Sequence, residues 1–360
     1  MPDPSTRCIL FVDCDRFYFA VEAAERPGLG GDPRPVIIGR DPREFQRGIV
    51  TTANDAARAL GIHSGMSAAA ALRLAPNALF LPPRHELYGR YSARVMAVLR
   101  AVSPLVQQNS IDEAACEWAA GFTPEPALAL RARVLAETGI SVSLGMATSP
   151  LVAKMASETA KKRDDHLCVV LPGTEGTFLA PLPVRALTGV GPKTEPRLHA
   201  AGITTIAELA ARPVEELVHM FGRSYGTFLW QASRGIDESP LVAERAAKSI
   251  SAEHTFPSDT IDRRVLWREL RQQAEEVAGR LCEEQVRTGE VGIKLRYADW
   301  LTLTRQMRLT PPTDDAAVLA AGAAVLMRKH WVPGRAVRLI GLRASSLITP
   351  STVTQLPLPN

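Results

Sequence analysis

No apolar run in this 360-residue chain is long enough to cross a bilayer. The longest, residues 316–327, has twelve residues. A span needs about 20, so this run reads as a buried helix. The opening Met1-Pro2-Asp3-Pro4 has neither the basic start nor the apolar stretch of a secretory signal. Cysteine is sparse: five residues, at 8, 14, 116, 168 and 282, an odd number with no CxxC knuckle among them. A reduced cytoplasmic protein without a membrane partner fits these absences. Internal repeats and low-complexity tracts are missing as well. With 46% hydrophobic and 22% charged residues, disorder and fibrous structure are excluded.

Strong net charge is also missing, but its distribution is uneven. The chain carries 42 Lys+Arg against 38 Asp+Glu, a net +4. Residues 245–345 alone hold 17 basic and 12 acidic residues, or +5, which leaves −1 for the rest. That asymmetry suits a polyanion-binding segment joined to a neutral-to-acidic one, although on charge alone a solubilised surface is the plainer reading. The length calls for two or more domains, because single cores rarely grow past roughly 250–300 residues.

Residues 7–15 form an apolar β-like run that stops abruptly at carboxylates. The pattern then predicts a helix over 17–25, strands at 35–39 and 48–52, and helices at 54–60, 66–74 and 86–102. Paired strands at 105–109 and 114–118 precede a helix at 124–139, a strand at 140–145 and a helix at 151–162. Strands alternating with helices indicate an α/β or α+β sheet domain over roughly 1–170. Residues 181–240 read as helical and short-looped. Past a polar connection, Leu266, Leu270, Ala274, Val277 and Leu281 make the apolar stripe of a charged helix. Val291, Ile293, Leu295 and Tyr297 then alternate with Gly292, Lys294 and Arg296. Thr302, Thr304, Gln306 and Arg308 share one side of the next strand, and 337–342 is a third. A small sheet with one basic-polar face, backed by helices, suits a nucleic-acid backbone.

Two acidic clusters stand out, Asp13-Cys14-Asp15 at a strand end and Asp112-Glu113 at a hairpin tip. Carboxylates beside apolar strands are costly unless a cation or water satisfies them. Two or three converging would make an oxygen site for Mg²⁺, and two such ions can serve phosphoryl transfer. Taken singly, an Asp-x-Asp or an Asp-Glu pair is more often a turn cap, so these residues alone leave both readings open.

The surrounding motifs narrow the choice. Asp13-Cys-Asp-Arg-Phe-Tyr18-Phe-Ala-Val-Glu22 is followed by Thr51-Thr-Ala-Asn54-Asp-Ala-Ala-Arg58-Ala-Leu-Gly-Ile62 and Leu81-Pro-Pro-Arg84-His-Glu-Leu-Tyr88. Ser110-Ile-Asp-Glu-Ala114 and Ala153-Lys-Met-Ala-Ser-Glu-Thr-Ala-Lys161 come next. In order and spacing these five stretches resemble the Y-family, or DinB-type, translesion DNA polymerases. Lys248-Ser-Ile-Ser and Lys294-Leu-Arg-Tyr-Ala-Asp299 resemble the C-terminal domain of the same family, so the resemblance covers about 8 to 358. It implies an α+β multidomain, right-hand polymerase. Palm and fingers would occupy 1–170, a helical thumb 171–242, a little finger of small β-sheet backed by helices 243–346, and a tail 347–360. It also implies a monomer that carries out low-fidelity translesion synthesis on primer-template DNA, moving a nucleotide from a dNTP to the primer 3′-hydroxyl with two Mg²⁺ ions.

Residue by residue, the resemblance implies that Asp13, Asp112 and Glu113 bind the metals, with the backbone carbonyl of Cys14 as a further ligand and Asp15 nearby without ligating. Tyr18 matches the steric gate, a ring beneath the sugar that clashes with a 2′-hydroxyl. Phe17 through its backbone N–H, Tyr18, Thr52, Arg58 and Lys161 would bind the nucleotide. Gly189, Gly191 and Lys193 precede Leu198-x-x-Ala-Gly202-Ile203 and read as a helix-hairpin-helix, whose turn N–H groups bind phosphate without reading sequence. Lys248, Lys294 and Arg296 would add DNA contacts. Gln355, Leu356 and Leu358 resemble the peptide that docks the bacterial sliding clamp (β), an extended segment burying its leucines.

Two departures from the family pattern bear on phosphate binding. Asp55 stands where a phosphate-donating tyrosine is common, and an anion there repels a triphosphate unless it turns away or pairs with Arg58. Lys162-Arg-Asp replaces the usual Pro-Asn-Gly turn. The rivals to a polymerase are a catalytically weak or silent adaptor that binds DNA and the clamp, a two-metal nuclease, and a non-enzymatic helix-hairpin-helix DNA binder.

Overall fold

The apolar run at the start of the chain becomes the middle strand of a sheet in a computed structural model that describes residues 7–244 and 246–349. The tail residues Gln355, Leu356 and Leu358 lie outside the described residues. The chain divides into two compact units, Met1–Glu244 and Arg245–Asn360.

The first unit opens with β1 (Ile9–Cys14), α1 (Phe17–Glu25), β2 (Val36–Gly39), β3 (Val50–Ala53), α2 (Asp55–Ala59), α3 (Ala68–Leu74), β4 (Leu79–Leu81) and α4 (His85–Arg100). It continues with β5 (Val106–Gln108), β6 (Glu113–Glu117), α5 (Pro124–Thr138), β7 (Val142–Ala147), α6 (Pro150–Ala160) and β8 (Leu167–Val169). Five helices follow: α7 (Glu175–Leu179), α8 (Glu195–Ala200), α9 (Ile206–Ala210), α10 (Val214–Phe221) and α11 (Arg223–Ala232). The main sheet is ordered β5-β6-β1-β7-β8. A smaller one, β3-β2-β4, closes its own core with α2 and α3 through Ile37, Val50, Ala57, Ile62 and Ala71.

Strand β1 is covered on both faces, which is why its sequence is apolar from Ile9 to Val12 and does not alternate. Leu10 and Val12 pack with Phe17, Tyr88 and Val95 from α1 and α4. Ile9 and Phe11 point the other way, into a core shared with Val152, Ala153 and Ala156 of α6. Beside Phe11, Gly145 of β7 lets α6 lie directly on the sheet. A Cβ at that position would sit 2.0 Å from the Ala153 carbonyl oxygen.

The second unit holds β9 (Ser249–Thr260), α12 (Arg263–Glu283), β10 (Arg287–Tyr297), β11 (Thr302–Thr313), α13 (Ala316–His330) and β12 (Val337–Ile348). Its sheet is antiparallel, ordered β11-β10-β12-β9. Leu266, Leu270, Val277 and Leu281 of α12 and Leu319, Ala323 and Met327 of α13 cover one face, over Val291, Ile293 and Leu295. The expected alternation holds, but the longest apolar run, helix α13, is only half-buried: Leu319, Ala323, Leu326 and Met327 are covered, while Val318 and Val325 are exposed. The sequence reading misses β9. This strand lies at the sheet edge, and only Ile250, Ala252 and Phe256 of its residues are buried, so its apolar signal is thin. Strands β4 and β8 have three residues each, too few to show a period.

Candidate active site

Side chains alternate along a strand, so Asp13 shares the face of Ile9 and Phe11 and looks toward α6. Antiparallel β6 places Glu113 directly opposite Asp13. Carboxylates facing each other across a ladder repel. Helix α6 answers with Lys154 and Glu158, and with Lys161 at its C-terminus, residues spaced to share one helical face. Lys154 Nζ lies 2.6 Å from Glu113 Oε2 and its charge sits 5.2 Å from the Phe11 ring centre. Lys161 Nζ lies 2.8 Å from Asp13 Oδ2 and 2.8 Å from Glu158 Oε1.

Carboxylate oxygens of Asp13, Glu113 and Glu158 fall within 4.8 Å of one another. Asp13 is only 4% exposed. Burial pushes its carboxyl up to about 7, against the pull of Lys161, and the charges of Glu158 and Glu113 add to the rise. Burial would lower the Lys161 ammonium, but the Asp13 charge outweighs it and raises Lys161 above the usual lysine range. Two lysines thus face three carboxylates. A donor set of oxygens alone, with an acidic excess, fits a hard divalent cation.

Asp112 sits in the turn before β6. Its Oδ1 accepts from Ser110 Oγ, and its carbonyl accepts from the Cys14 N–H at 2.9 Å. It is not among the three carboxylates within 4.8 Å. The Cys14 thiol belongs to the core on the opposite face of β1, and burial raises it well above the usual thiol range. Asp15 is taken up by Ser141 and Ser143, whose hydroxyls donate to it at 2.7 Å each. Glu158 is the residue the sequence reading passes over. Its signal was the helical spacing from Lys154 and to Lys161, inside a motif already singled out.

Tyr18, on α1, stacks on Tyr88 with ring centres 4.4 Å apart. Burial raises its hydroxyl, and the Asp112 charge adds to this. Tyr88 is fully buried, and its hydroxyl donates to Glu22 Oε1 at 2.7 Å. Arg84 Nε donates to the same oxygen at 3.0 Å. Glu22 is buried too, but these hydrogen bonds outweigh the burial and hold its carboxyl below the ordinary value. The ring of Phe17 is buried, and the first turn of α1 has no side-chain cap over its N–H groups.

Arg58 Nη2 donates to Thr52 Oγ1 at 3.2 Å and its Nε to the Ala53 carbonyl at 2.9 Å. Asp55 does not pair with Arg58. It pairs with Arg16 at 2.8 Å, so the acid is turned toward the loop between β1 and α1.

In the helical part, Gly189 has φ +100°, and a Cβ there would meet the Phe228 ring at 2.7 Å. Tyr225 donates to the Gly189 carbonyl at 2.7 Å. Among the described residues the N–H groups of Gly189, Gly191 and Lys193 donate to no carbonyl. Lys193 and Lys248 are exposed. Lys294 reaches both oxygens of Glu253, at 2.9 and 2.8 Å, and Arg296 Nε donates to Thr302 Oγ1 at 2.9 Å.

This fold is that of the Y-family DNA polymerases. A Y-family polymerase chimera of Dbh and Dpo4 matches with a TM-score of 0.84 over 95% of this chain and 99% of that one, at 24% identity. DinB from Sulfolobus solfataricus matches over the same shares with a TM-score of 0.63. The chain belongs to the impB/mucB/samB family, whose profile matches residues 12–158 and whose C-terminal domain matches 247–358. Residues 185–237 match the thumb domain of DNA polymerase-iota. Among curated relatives, the DNA polymerase IV of Streptomyces coelicolor is 40% identical over 94% of this chain and 71% of its own length. That of Methanoculleus marisnigri is 38% identical over 95% of each chain, and that of Alkalilimnicola ehrlichii 37% over 98% and 99%.

Proposed function

We infer that the chain is a DNA-templated DNA polymerase that extends primers with low fidelity and across damaged template. The observation that carries this is the convergence of the Asp13, Glu113 and Glu158 carboxylates where β1, β6 and α6 meet. Asp13, Asp112 and Glu113, with the Cys14 carbonyl, would hold two Mg²⁺ ions, which when bound activate the attacking oxygen and stabilise the leaving one. The primer 3′-oxygen attacks the α-phosphorus of a dNTP, its bond to the bridging oxygen breaks, and pyrophosphate leaves. Thr52, Arg58 and Lys161 offer a hydroxyl and two cations to the triphosphate, joined by the Phe17 N–H. Tyr18 lies beneath the sugar, and its stack on Tyr88 stops the ring from yielding to a 2′-hydroxyl.

We assign residues 1–170 to palm and fingers, 171–242 to thumb, 243–346 to little finger and 347–360 to a clamp-binding tail. The N–H groups of Gly189, Gly191 and Lys193, which donate to no carbonyl among the described residues, support a sequence-independent phosphate contact. Lys248, Lys294 and Arg296 lie in or beside the exposed sheet of the basic unit and suit duplex phosphates. We further infer a monomer, and a cytoplasmic one, where five thiols stay reduced. Among the described residues no helix is long and apolar enough to cross a membrane. Primer extension with Mg²⁺ tests the reading. The wild type extends, chelation stops it, and Asp13→Ala and Asp112→Ala are inactive. A wild type that leaves the primer unextended, or degrades it without dNTPs, overturns the assignment.

A further inference from the structure

We propose that Trp300 is a stacking platform for an unpaired DNA base, with Arg296 and Arg338 holding the adjoining phosphates. Trp300 lies in the hairpin between β10 and β11 and is 62% exposed, next to Leu301 at 54%. Its φ is +67°, a left-handed conformation that bulky L residues rarely adopt. Glycine would take that conformation without strain, so folding alone gives no reason for an indole there.

The hairpin is stiff. The Trp300 N–H donates to the Tyr297 carbonyl at 3.0 Å, and the Leu301 N–H to Asp299 Oδ1 at 3.1 Å. Arg335 pairs with Asp299 and stacks on the Tyr297 ring, 4.1 Å from its centre. Two more guanidiniums meet the indole: Arg338 at 4.2 Å from the ring centre and Arg296 at 5.7 Å. Neither has a carboxylate partner among the described residues, because the acid of the hairpin is taken by Arg335.

An exposed indole with two cations close to its ring, neither paired with a carboxylate among the described residues, matches one ligand chemistry, a flat π system carried on a phosphodiester chain. A base inside a duplex has both faces covered by its neighbours and cannot stack on a side chain, so the ligand is an unpaired base. Arg296 also lies on the exposed face of the sheet with Lys294, two residues away on β10, so the platform continues the surface assigned to DNA. The proposal rests on the reading that this chain works on DNA.

The test is binding of the full chain to labelled oligothymidylate and to a blunt duplex, with Trp300→Ala, Trp300→Phe and Trp300→Gly. Trp300→Ala weakens oligothymidylate binding by about 5- to 150-fold, the range that single base–aromatic stacks supply, while the duplex affinity stays within about twofold. Trp300→Phe keeps most of the affinity. Trp300→Gly loses it without a lower melting temperature, because glycine accepts that φ, and this separates a lost contact from a damaged fold. Unchanged oligothymidylate affinity in Trp300→Ala overturns the proposal and assigns the hairpin to a protein partner. An equal loss on the blunt duplex overturns it too. Primer extension by the wild type, run alongside, judges the polymerase reading separately.

Discussion

The role proposed for Tyr18 rests on its neighbours. On its own helix it is an aromatic on an amphipathic face, and nothing in that pattern separates it from core. Its ring rests on Tyr88, Tyr88 is tied to Glu22, and Glu22 is held by Arg84. The proposed gate is therefore backed by a buried, hydrogen-bonded carboxylate, which resists displacement. Tyr18→Ala should raise ribonucleotide incorporation markedly, read as the ratio of kcat/KM for a ribonucleotide and its deoxyribonucleotide. An unchanged ratio refutes the gate. Asp55 was expected to repel the triphosphate unless it turned away or paired with Arg58, and it turns away. Its partner is Arg16, which leaves Arg58 on Thr52 and the Ala53 carbonyl. The sequence could not show this, because the pair joins the start of α1 to the start of α2 across 39 positions.

At the scale of elements, α6 is the piece on which the site depends. It carries Lys154, Glu158 and Lys161, and it reaches the sheet only because residue 145 has no side chain. A Cβ on Gly145 would lie 2.3 Å from the Ser157 nitrogen and closer still to the Ala153 carbonyl. Gly145→Ala should therefore push α6 outward. We expect it to cost about 1–3 kcal/mol in denaturant unfolding and to depress primer extension in the same variant. Wild-type stability with wild-type activity would show that α6 has room to spare. Helix α9 offers a test by pH. Thr205 and Glu208 form a capping box, and the Thr204 and Thr205 N–H groups hold the Glu208 carboxyl down to about 2 from an ordinary 4.5. A depressed acid contributes stability above its unfolded value and loses it as pH falls through its folded one. Glu208→Gln should melt below the wild type at pH 7, and the gap should close between pH 4.5 and about 2. A gap that does not change over that window would mean the carboxylate is not the source.

At the scale of the whole molecule, the net +4 is a sum over unlike parts: −1 outside residues 245–345, where the acidic cluster lies, and +5 within them. Deleting residues 355–360 should weaken synthesis stimulated by a sliding clamp and leave basal synthesis intact, and equal stimulation of both forms would rule out the tail as a clamp ligand. The sequence by itself determined most of the elements, the buried faces of α12 and β10, and the carboxylates Asp13 and Glu113. Periodicity, helix stops and abrupt acidic strand ends are local properties of a chain, so they can be read along it. The tertiary structure alone decided that Glu158 joins those carboxylates, that Asp55 answers to Arg16, and that Trp300 stands exposed beside two arginines. Each of these depends on residues far apart in sequence, or on a backbone angle, and such contacts exist only once strands have found their register and helices their packing.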